Sequence, residues 1–435
     1  MIVRDEEEFL AGCLESAAGV VDEIVILDTG SADRTAEIAR AFGARVYDHR
    51  WRDSYSEARN AAIDLATGSW ILVLDADERL DARAGAIIRK AVRDGCFTAY
   101  EIIQRNYYSD DEASDVIVNP TCRLWRNLPG YRYEGRIHEN PAPSIVRAGG
   151  TIGRLDAVIH HYGNQPRVLA GRDKCRRYIR LLEAELRDNP NDVGKLHDIA
   201  VSYYVIGRYE DALPYLERAV AALAPTSPIA GTVYSTYVGA LYRSGRAEQA
   251  AAAMERASSL GIRHPEICYA GGQALMALER YEAAAIEFER AIELGKQGNW
   301  TGDEAVWGHK AHEAASMCLL KLGRWMEAAK HGAVALQSKP DRAETRAVVA
   351  QACLSWGDEL YKAADYPTAA EVYSSALSLV PDHAQGFFAL GNCYLRMGAA
   401  KSAILAYRRA IDIQPNYAEA RNNLSIAEEV LGIDR

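Results

Sequence analysis

The stretch Trp70-Ile71-Leu72-Val73-Leu74-Asp75-Ala76-Asp77-Glu78 decides the reading of the N-terminal half of the chain. Its five apolar residues follow a Gly68-Ser69 turn and predict a strand buried on both faces. Three carboxylates stand where such a strand ends. In an open α/β sheet, ligands bind beyond the carboxyl ends of the strands, and carboxylates one residue apart suit a hard divalent ion that also holds phosphate oxygens. An Asp at a strand-to-helix turn also serves as a helix cap, so the surrounding segments carry the decision.

Outward from this stretch, the preceding residues alternate between strand and helix. Met1-Ile2-Val3 predicts the end of a strand, and Asp5-Glu6-Glu7-Glu8-Phe9-Leu10 opens a helix with Leu10, Cys13 and Leu14 on one face. Glu23-Ile24-Val25-Ile26-Leu27 predicts a second buried strand, and Asp28-Thr29-Gly30-Ser31-Ala32-Asp33 the turn after it. Asp33 or Ser31 caps a helix through Ala41, which Gly43 ends. Ala44 to Tyr47 is a third strand, and Tyr55 to Ile63 a helix that delivers the chain into the central strand. This order predicts a parallel nucleotide-binding sheet, an α/β domain.

Beyond Cys96 the pattern turns antiparallel, with alternation over Thr98 to Ile103 and over Thr121 to Arg126. The acidic, polar stretch Tyr107 to Asp115 between them predicts a loop beside an acceptor. Two later segments carry chemistry: Tyr131-Arg132-Tyr133-Glu134-Gly135-Arg136-Ile137-His138-Glu139 and Val158-Ile159-His160-His161-Tyr162-Gly163. Adjacent strand residues face opposite ways, so only one of His160 and His161 can point inward.

Composition frames these motifs. A length of 435 residues predicts two domains, and 49% hydrophobic with 25% charged residues is ordinary for a folded protein. A net charge of -10 excludes a predominantly nucleic-acid-binding surface. The eight cysteines include no C-x-x-C pair and are expected to be reduced core thiols. The start is acidic where a secretory signal would be basic, and no apolar run is long enough to span a bilayer; a soluble, cytoplasmic protein is expected.

Val3-Arg4-Asp5-Glu6-Glu7, Leu27 to Asp33, Ser56-Glu57-Ala58-Arg59-Asn60 and Leu74-Asp75-Ala76-Asp77-Glu78 are similar, in order and spacing, to family-two glycosyltransferases of the glycosyltransferase A fold. The resemblance spans roughly the first third of the chain. It implies a nucleotide-sugar site formed by Val3, Asp5, Asp28, Arg59, Asp75 and Asp77, with Asp28 on the donor base, Arg59 near the nucleotide and Asp75-Ala76-Asp77 as the DxD motif. It further implies a Mn2+ or Mg2+ ion held by Asp77 and His161, with His160 as runner-up. The family has several apolar residues ahead of the position of Val3; here the first strand is short or the start lies upstream. Inverting transfer requires a carboxylate base, for which Glu139 is the first candidate and Glu134 the second; each could instead anchor an arginine.

The second half follows another rule. Gly207-Arg208-Tyr209 with Ala212 and Ala219 recurs at Gly245, Glu279, Gly323, Ala364 and Gly398, each followed by two alanines at matching offsets. The last two of these positions are 34 residues apart, the tetratricopeptide period. Residues 297 to 302 are a loop insertion, and Ala418 to Leu431 a polar capping helix. The boundaries predicted are 1–165 for the catalytic domain, 166–190 for a basic connecting helix and 191–435 for an all-α tetratricopeptide solenoid. Bacterial peptide S- and O-glycosyltransferases resemble this layout, which implies a UDP-sugar donor, a peptide or protein acceptor recruited by the repeats, and a homodimer through them. Two alternatives stand beside this: a saccharide acceptor of the lipopolysaccharide-core type, and a non-catalytic interaction scaffold.

Overall fold

The computed structural model describes residues 1–107, 116–135, 139–163, 165, 174–187, 189–298 and 300–432. The expected acceptor-side loop, apart from Tyr107, lies outside the described residues, as does the start of the connecting helix, described from Lys174 to Leu186. The chain forms two compact units. One comprises Met1–Gly245, Arg256–His264 and Gly298–Ala305; the other Arg246–Glu255, Pro265–Gln297 and Val306–Arg435.

In the first unit, β1 (Ile2–Val3), β2 (Val25–Asp28) and β3 (Arg45–Asp48) form a parallel sheet, with α1 (Leu10–Ala17), α2 (Thr35–Ala41) and α3 (Tyr55–Asp64) between and after the strands. The helix expected from Asp5 starts five residues later. The acidic residues ahead of α1 are engaged elsewhere. Asp5 Oδ1 accepts the Ala32 N–H at 2.7 Å and Glu7 Oε2 the Arg34 N–H at 3.1 Å, tying the segment to the turn before α2.

The Trp70 stretch does not join this parallel sheet. β4 (Trp70–Leu72) pairs antiparallel with β7 (Val116–Arg126) through Trp70↔Arg126, Ile71↔Trp125 and Leu72↔Leu124. A run of buried apolar residues is the same in either ladder, so the pattern that located the strand could not name its partner. The second sheet also contains β5 (Glu78–Leu80), β6 (Ala99–Tyr107) and β8 (Ile152–His161), in the order β4-β7-β6-β8-β5. A cavity of about 730 Å³ is lined by Met1 and Val25 from the first sheet's side and by Trp70, Ile71, Leu72 and Leu124 from the second's.

The core of the second sheet joins Leu74 and Leu80 to Ile102, Leu124 and Ile159, with Cys13 and Ala17 of α1 and Ala84 and Ile88 of α4 (Ala84–Asp94) packed on it. Burial of such side chains is worth about 1.5–3 kcal/mol each. It holds Leu74, just beyond β4, in the same core as Ile159 of β8. No helix starts directly after Asp77: Glu78 enters β5, which pairs antiparallel with β8 in the register Glu78↔His161. That register places the carboxylate turn beside the histidine pair.

The repeats form antiparallel helix pairs, 193–205 with 209–222, 265–277 with 281–297, 309–321 with 325–338, 343–362 with 366–379, and 384–396 with 400–413; Ala230–Arg243 and Ala247–Ser259 come between the first two of these in sequence, and Ala418–Val430 follows the last. Ala212, Ala219, Ala250, Ala257, Ala284, Ala291, Ala328, Ala369, Ala376, Ala403 and Ala410 are fully buried, which is what close helix packing demands of these positions. The turn that joins such helices needs one left-handed residue. Gly207, Gly245, Gly323 and Gly398 supply it at φ 73 to 75°, while Glu279 (φ 58°) and Ala364 (φ 62°) adopt it without glycine's freedom. The insertion after residue 297 does more than loop: Gly302–Asp303 forms β9 and pairs antiparallel with β7 through Val118↔Gly302 and Ile117↔Asp303.

Six of the cysteines, Cys13, Cys122, Cys268, Cys318, Cys353 and Cys393, are buried free thiols, and Cys96 is exposed and free. Among the described residues no helix is long and apolar enough to cross a membrane.

Candidate active site

The turn Asp75–Glu78 is held from several sides. The Glu78 N–H donates to the Asp75 carbonyl at 3.0 Å, and the Asp75 N–H donates to Glu78 Oε2 at 2.8 Å, so the Glu78 side chain closes the turn on itself. Glu78 is fully buried. Its Oε1 accepts from Gln104 Nε2 and, at 2.6 Å, from Arg123 Nη2. Burial pushes the Glu78 carboxyl above the ordinary range, with the Arg123 guanidinium opposing it. Cys13 of α1 completes the clamp, its Sγ–H donating to the Asp75 carbonyl at 3.2 Å.

Two guanidiniums converge on Asp75. Arg59 Nη2 donates to Oδ1 at 2.7 Å and Arg123 Nη2 to Oδ2 at 3.3 Å. Burial opposes ionisation of Asp75, but Arg59 and Arg123 outweigh it and hold the carboxyl well below the usual carboxylate range. Asp75 is therefore a fixed anion within an arginine pair. Arg59 also donates through Nε to Glu139 Oε1, and both side chains are about nine-tenths buried. Arg59 Nη1 is buried with no hydrogen-bond partner among the described residues.

Asp77 and His161 form the other half of the site. His161 Nε2 lies 3.4 Å from Asp77 Oδ1, and the Tyr162 N–H donates to the Asp77 carbonyl at 3.0 Å. Nδ1 of His161 contacts Asn106 Oδ1 at 2.6 Å, which fixes the ring and leaves Nε2 facing Asp77. His160 points the other way, with Nδ1 2.6 Å from the Tyr107 hydroxyl and Nε2 3.6 Å from Asp81 Oδ2. Gly163 leaves the space beside this pair open: a Cβ there would collide with the Asp77 carboxylate and lie 3.1 Å from His161 Nε2.

The residues fit a divalent cation in a limited way. Asp77 and His161 are two converging donors, an oxygen and a nitrogen, and Asp75 is occupied by arginines; among the described residues no group of three or more His, Cys, Asp or Glu could hold a metal ion. A site of two protein ligands suits Mg2+ or Mn2+, which complete their shells with phosphate oxygens and water. Even with Glu78 protonated, the carboxylates of Asp75, Asp77 and Glu139 outnumber the guanidiniums of Arg59 and Arg123 here.

Arg59, Asp75, Asp77, Gln104, Arg123 and His161 line one cavity of about 800 Å³, together with Val3, Arg4, Asp5 and Arg180. Asp28 is not in that lining. It is 6% exposed, and its Oδ1 accepts from the N–H groups of Gly30 and Ser31 and from the Ser31 hydroxyl, shaping the turn next to Val3. Val3 is buried, and its carbonyl accepts the N–H of Thr29 from that turn. Glu134 stands apart from the cavity, ion-paired with Arg147 on the surface. Arg123 and Gln104 escaped the sequence reading, as did the clamping role of Glu78, which was read only as the third carboxylate at the strand end. Arg123 and Gln104 sit in alternating strands whose register alone turns Arg123 toward Asp75 and Glu78 and Gln104 toward Glu78.

Residues 1–158 match the model of glycosyl transferase family 2, and residues 238–299 and 354–427 match a tetratricopeptide repeat model. A TPR repeat-containing protein of Synechococcus elongatus is 39% identical over 198 residues, covering 44% of this chain and 48% of that protein. The SPbeta prophage-derived glycosyltransferase SunS of Bacillus subtilis is 26% identical over 222 residues, covering 51% and 52%. A PGL/p-HBAD biosynthesis glycosyltransferase of Mycobacterium bovis is 42% identical over 124 residues, covering 27% and 44%. The chain spans about half the length, or less, of these relatives. It joins a domain of glycosyl transferase family 2 to tetratricopeptide repeats.

Proposed function

We propose that the chain is a metal-dependent inverting glycosyltransferase that moves a sugar from a UDP-sugar to a peptide or protein acceptor recruited by the repeats. The observation that carries this reading is the convergence of Arg59, Arg123, Asp77 and His161 in one cavity at the end of β4. The buried, unpartnered Arg59 Nη1 supports an anionic ligand, because an orphaned N–H costs about 1–3 kcal/mol that a phosphate oxygen removes.

Asp77 and His161 hold the divalent ion in this reading, and Arg59 and Arg123 hold the diphosphate. A bound divalent cation would supply charge neutralisation for the departing nucleotide, worth several kcal/mol. Asp75 sets the two guanidiniums. Glu139 is the base: its carboxylate is joined to the donor site through Arg59, and a diphosphate that recruits the guanidinium frees the carboxylate to take the acceptor proton. Asp28 and Asp5 shape the turn beside Val3 that borders the nucleotide. The repeats serve as the acceptor surface, since solenoids of this kind bind extended peptides.

The test uses the full chain with a UDP-sugar and Mn2+. Asp77→Ala should abolish transfer and metal-stimulated donor hydrolysis, while Glu139→Gln should leave UDP binding intact and cut transfer by roughly a hundredfold or more. Full activity of Asp77→Ala in a chelator would sink the metal assignment. Undiminished transfer by Glu139→Gln would remove Glu139 from the role of base.

A further inference from the structure

Among the described residues, four guanidiniums line the donor cavity, those of Arg4, Arg59, Arg123 and Arg180. Three of them are committed to carboxylates. Arg4 lies 3.9 Å from Asp5, Arg59 is bound by Asp75 and Glu139, and Arg123 by Asp75 and Glu78. Drawing Arg59 or Arg123 away to a ligand leaves a buried carboxylate without its partner, and only Nη1 of Arg59 is offered without that exchange. Arg180 is exposed and has no ion pair or hydrogen bond among the described residues. Asp5, Glu6, Asp75 and Asp77 share the same lining, so a nucleoside diphosphate enters a space in which the positive charge already bound to protein is spoken for. Among the described lining residues the uncommitted cation is Arg180.

This side chain comes from outside the strands that build the rest of the site. It belongs to the basic helix Lys174–Leu186, beyond residues 1–158 that match the family model. Ile179, Leu182 and Leu186 are buried along one side of that helix, which packs on the helix Val193–Val205. The Tyr215 hydroxyl donates to Glu183 Oε1 at 2.9 Å, and Lys195 Nζ lies 2.7 Å from Glu185 Oε2, so the first helix pair of the repeats holds it in place. Each residue turns an α-helix by about 100°. That step carries Arg180 off the buried stripe begun by Ile179 and leaves its guanidinium to the cavity. A charged side chain on the lining, mounted on a packed helix and bound to nothing, is what a ligand with its own charge requires.

We propose that Arg180 is a donor-binding residue whose guanidinium takes a phosphate oxygen of the nucleoside diphosphate, so that the donor site is completed by a helix seated on the repeats. This rests on the nucleotide-sugar reading above. An exposed guanidinium on this lining would equally suit an acidic acceptor, and the experiment separates the two. The full chain is titrated calorimetrically with UDP in the presence of Mn2+, and the KM values for donor and acceptor are measured beside it. Arg180→Ala should weaken UDP about tenfold, the size of one charge-assisted hydrogen bond, with an unshifted melting curve. Arg180→Lys, which keeps the charge, should lose less and Arg180→Glu more, and added salt should narrow these differences. The donor KM should rise in the same order while the acceptor KM holds. UDP binding unchanged in all three variants overturns the proposal, in favour of an acceptor contact where the acceptor KM rises. Equal weakening by all three substitutions overturns it in favour of a structural role. A wild-type chain that binds no UDP overturns the nucleotide-sugar reading itself, and this proposal with it.

Discussion

Gly163 shows how much one missing side chain can decide. A Cβ at this position would collide with the Asp77 carboxylate beside His161, so Gly163→Ala must displace one of the two converging donors. On the metal-dependent reading proposed above, the expected result is a loss of Mn2+-stimulated transfer by about a hundredfold or more, with the thermal transition nearly unmoved; a Mn2+ titration of activity beside a melting curve checks both. His264 gives a residue-level prediction in the pH dimension. Buried beside Trp300, with ring centroids 5.3 Å apart, its imidazole is pushed by burial from the ordinary value down to about 4. The folded chain keeps it neutral while the unfolded chain protonates it near 6.5, so stability is full above that pH and is lost as pH falls toward 4. Between pH 7 and pH 5 the loss is about 2 kcal/mol, and His264→Asn should flatten that slope in calorimetric scans taken at the two pH values. At this scale the resemblance to a known family joined Asp77 to His161, which lie 3.4 Å apart, whereas alternation said only that one of His160 and His161 points inward. Arg123 was illegible, since an arginine in an alternating strand looks like a solvent-facing residue until the register of β6, β7 and β8 is known, and so was its ion pair with Glu78.

At the level of elements, the repeated helix pairs were readable because their period is written in small residues at fixed offsets, and eleven of those twelve alanines are fully buried, the twelfth, Ala335, nearly so. Two pairs break the rule at their turns. Glu279 and Ala364 sit at φ 58° and 62°, where four other turns have glycine. A left-handed non-glycine residue is strained by about 1 kcal/mol, partly offset by the extra chain entropy glycine carries when unfolded. Glu279→Gly and Ala364→Gly should therefore each stabilise the chain by about 0.5 kcal/mol, and together by about twice that since the sites are well apart in sequence, which a denaturant titration can read. The β4 ladder went the other way. A strand was foreseen there from five apolar residues, but β4 spans only Trp70–Leu72 with Ile71 alone of the three buried, and its antiparallel partner is a non-local fact that no single segment encodes.

For the whole molecule, the order of an α/β domain and a helical array was legible from the carboxylate stretch and the 34-residue period. The insertion was legible as a loop, but the strand within it was not. Gly302–Asp303 is too short for any pattern, yet it adds β9 to β7, and Arg105 pairs with Glu304 at 3.1 Å in the same region. A fragment ending at residue 190 would leave Ile117 and Val118 of β7 without that neighbour. Open strand edges promote association, so this fragment should melt at a lower temperature than the full chain and aggregate on size-exclusion chromatography. A fragment that stays monomeric with an unshifted transition would show β9 to be dispensable.

The same short strand bears on how freely such proteins can be rebuilt. Fusions are usually imagined as beads on a string, each exchangeable at the linker. Here a stretch between the helices 281–297 and 309–321 is spent on the sheet of the N-terminal domain. Whoever grafts this N-terminal domain onto a foreign repeat array, by recombination or by design, has to transplant Gly298–Ala305 along with it, and a donor array trimmed to ideal repeats would arrive one strand short.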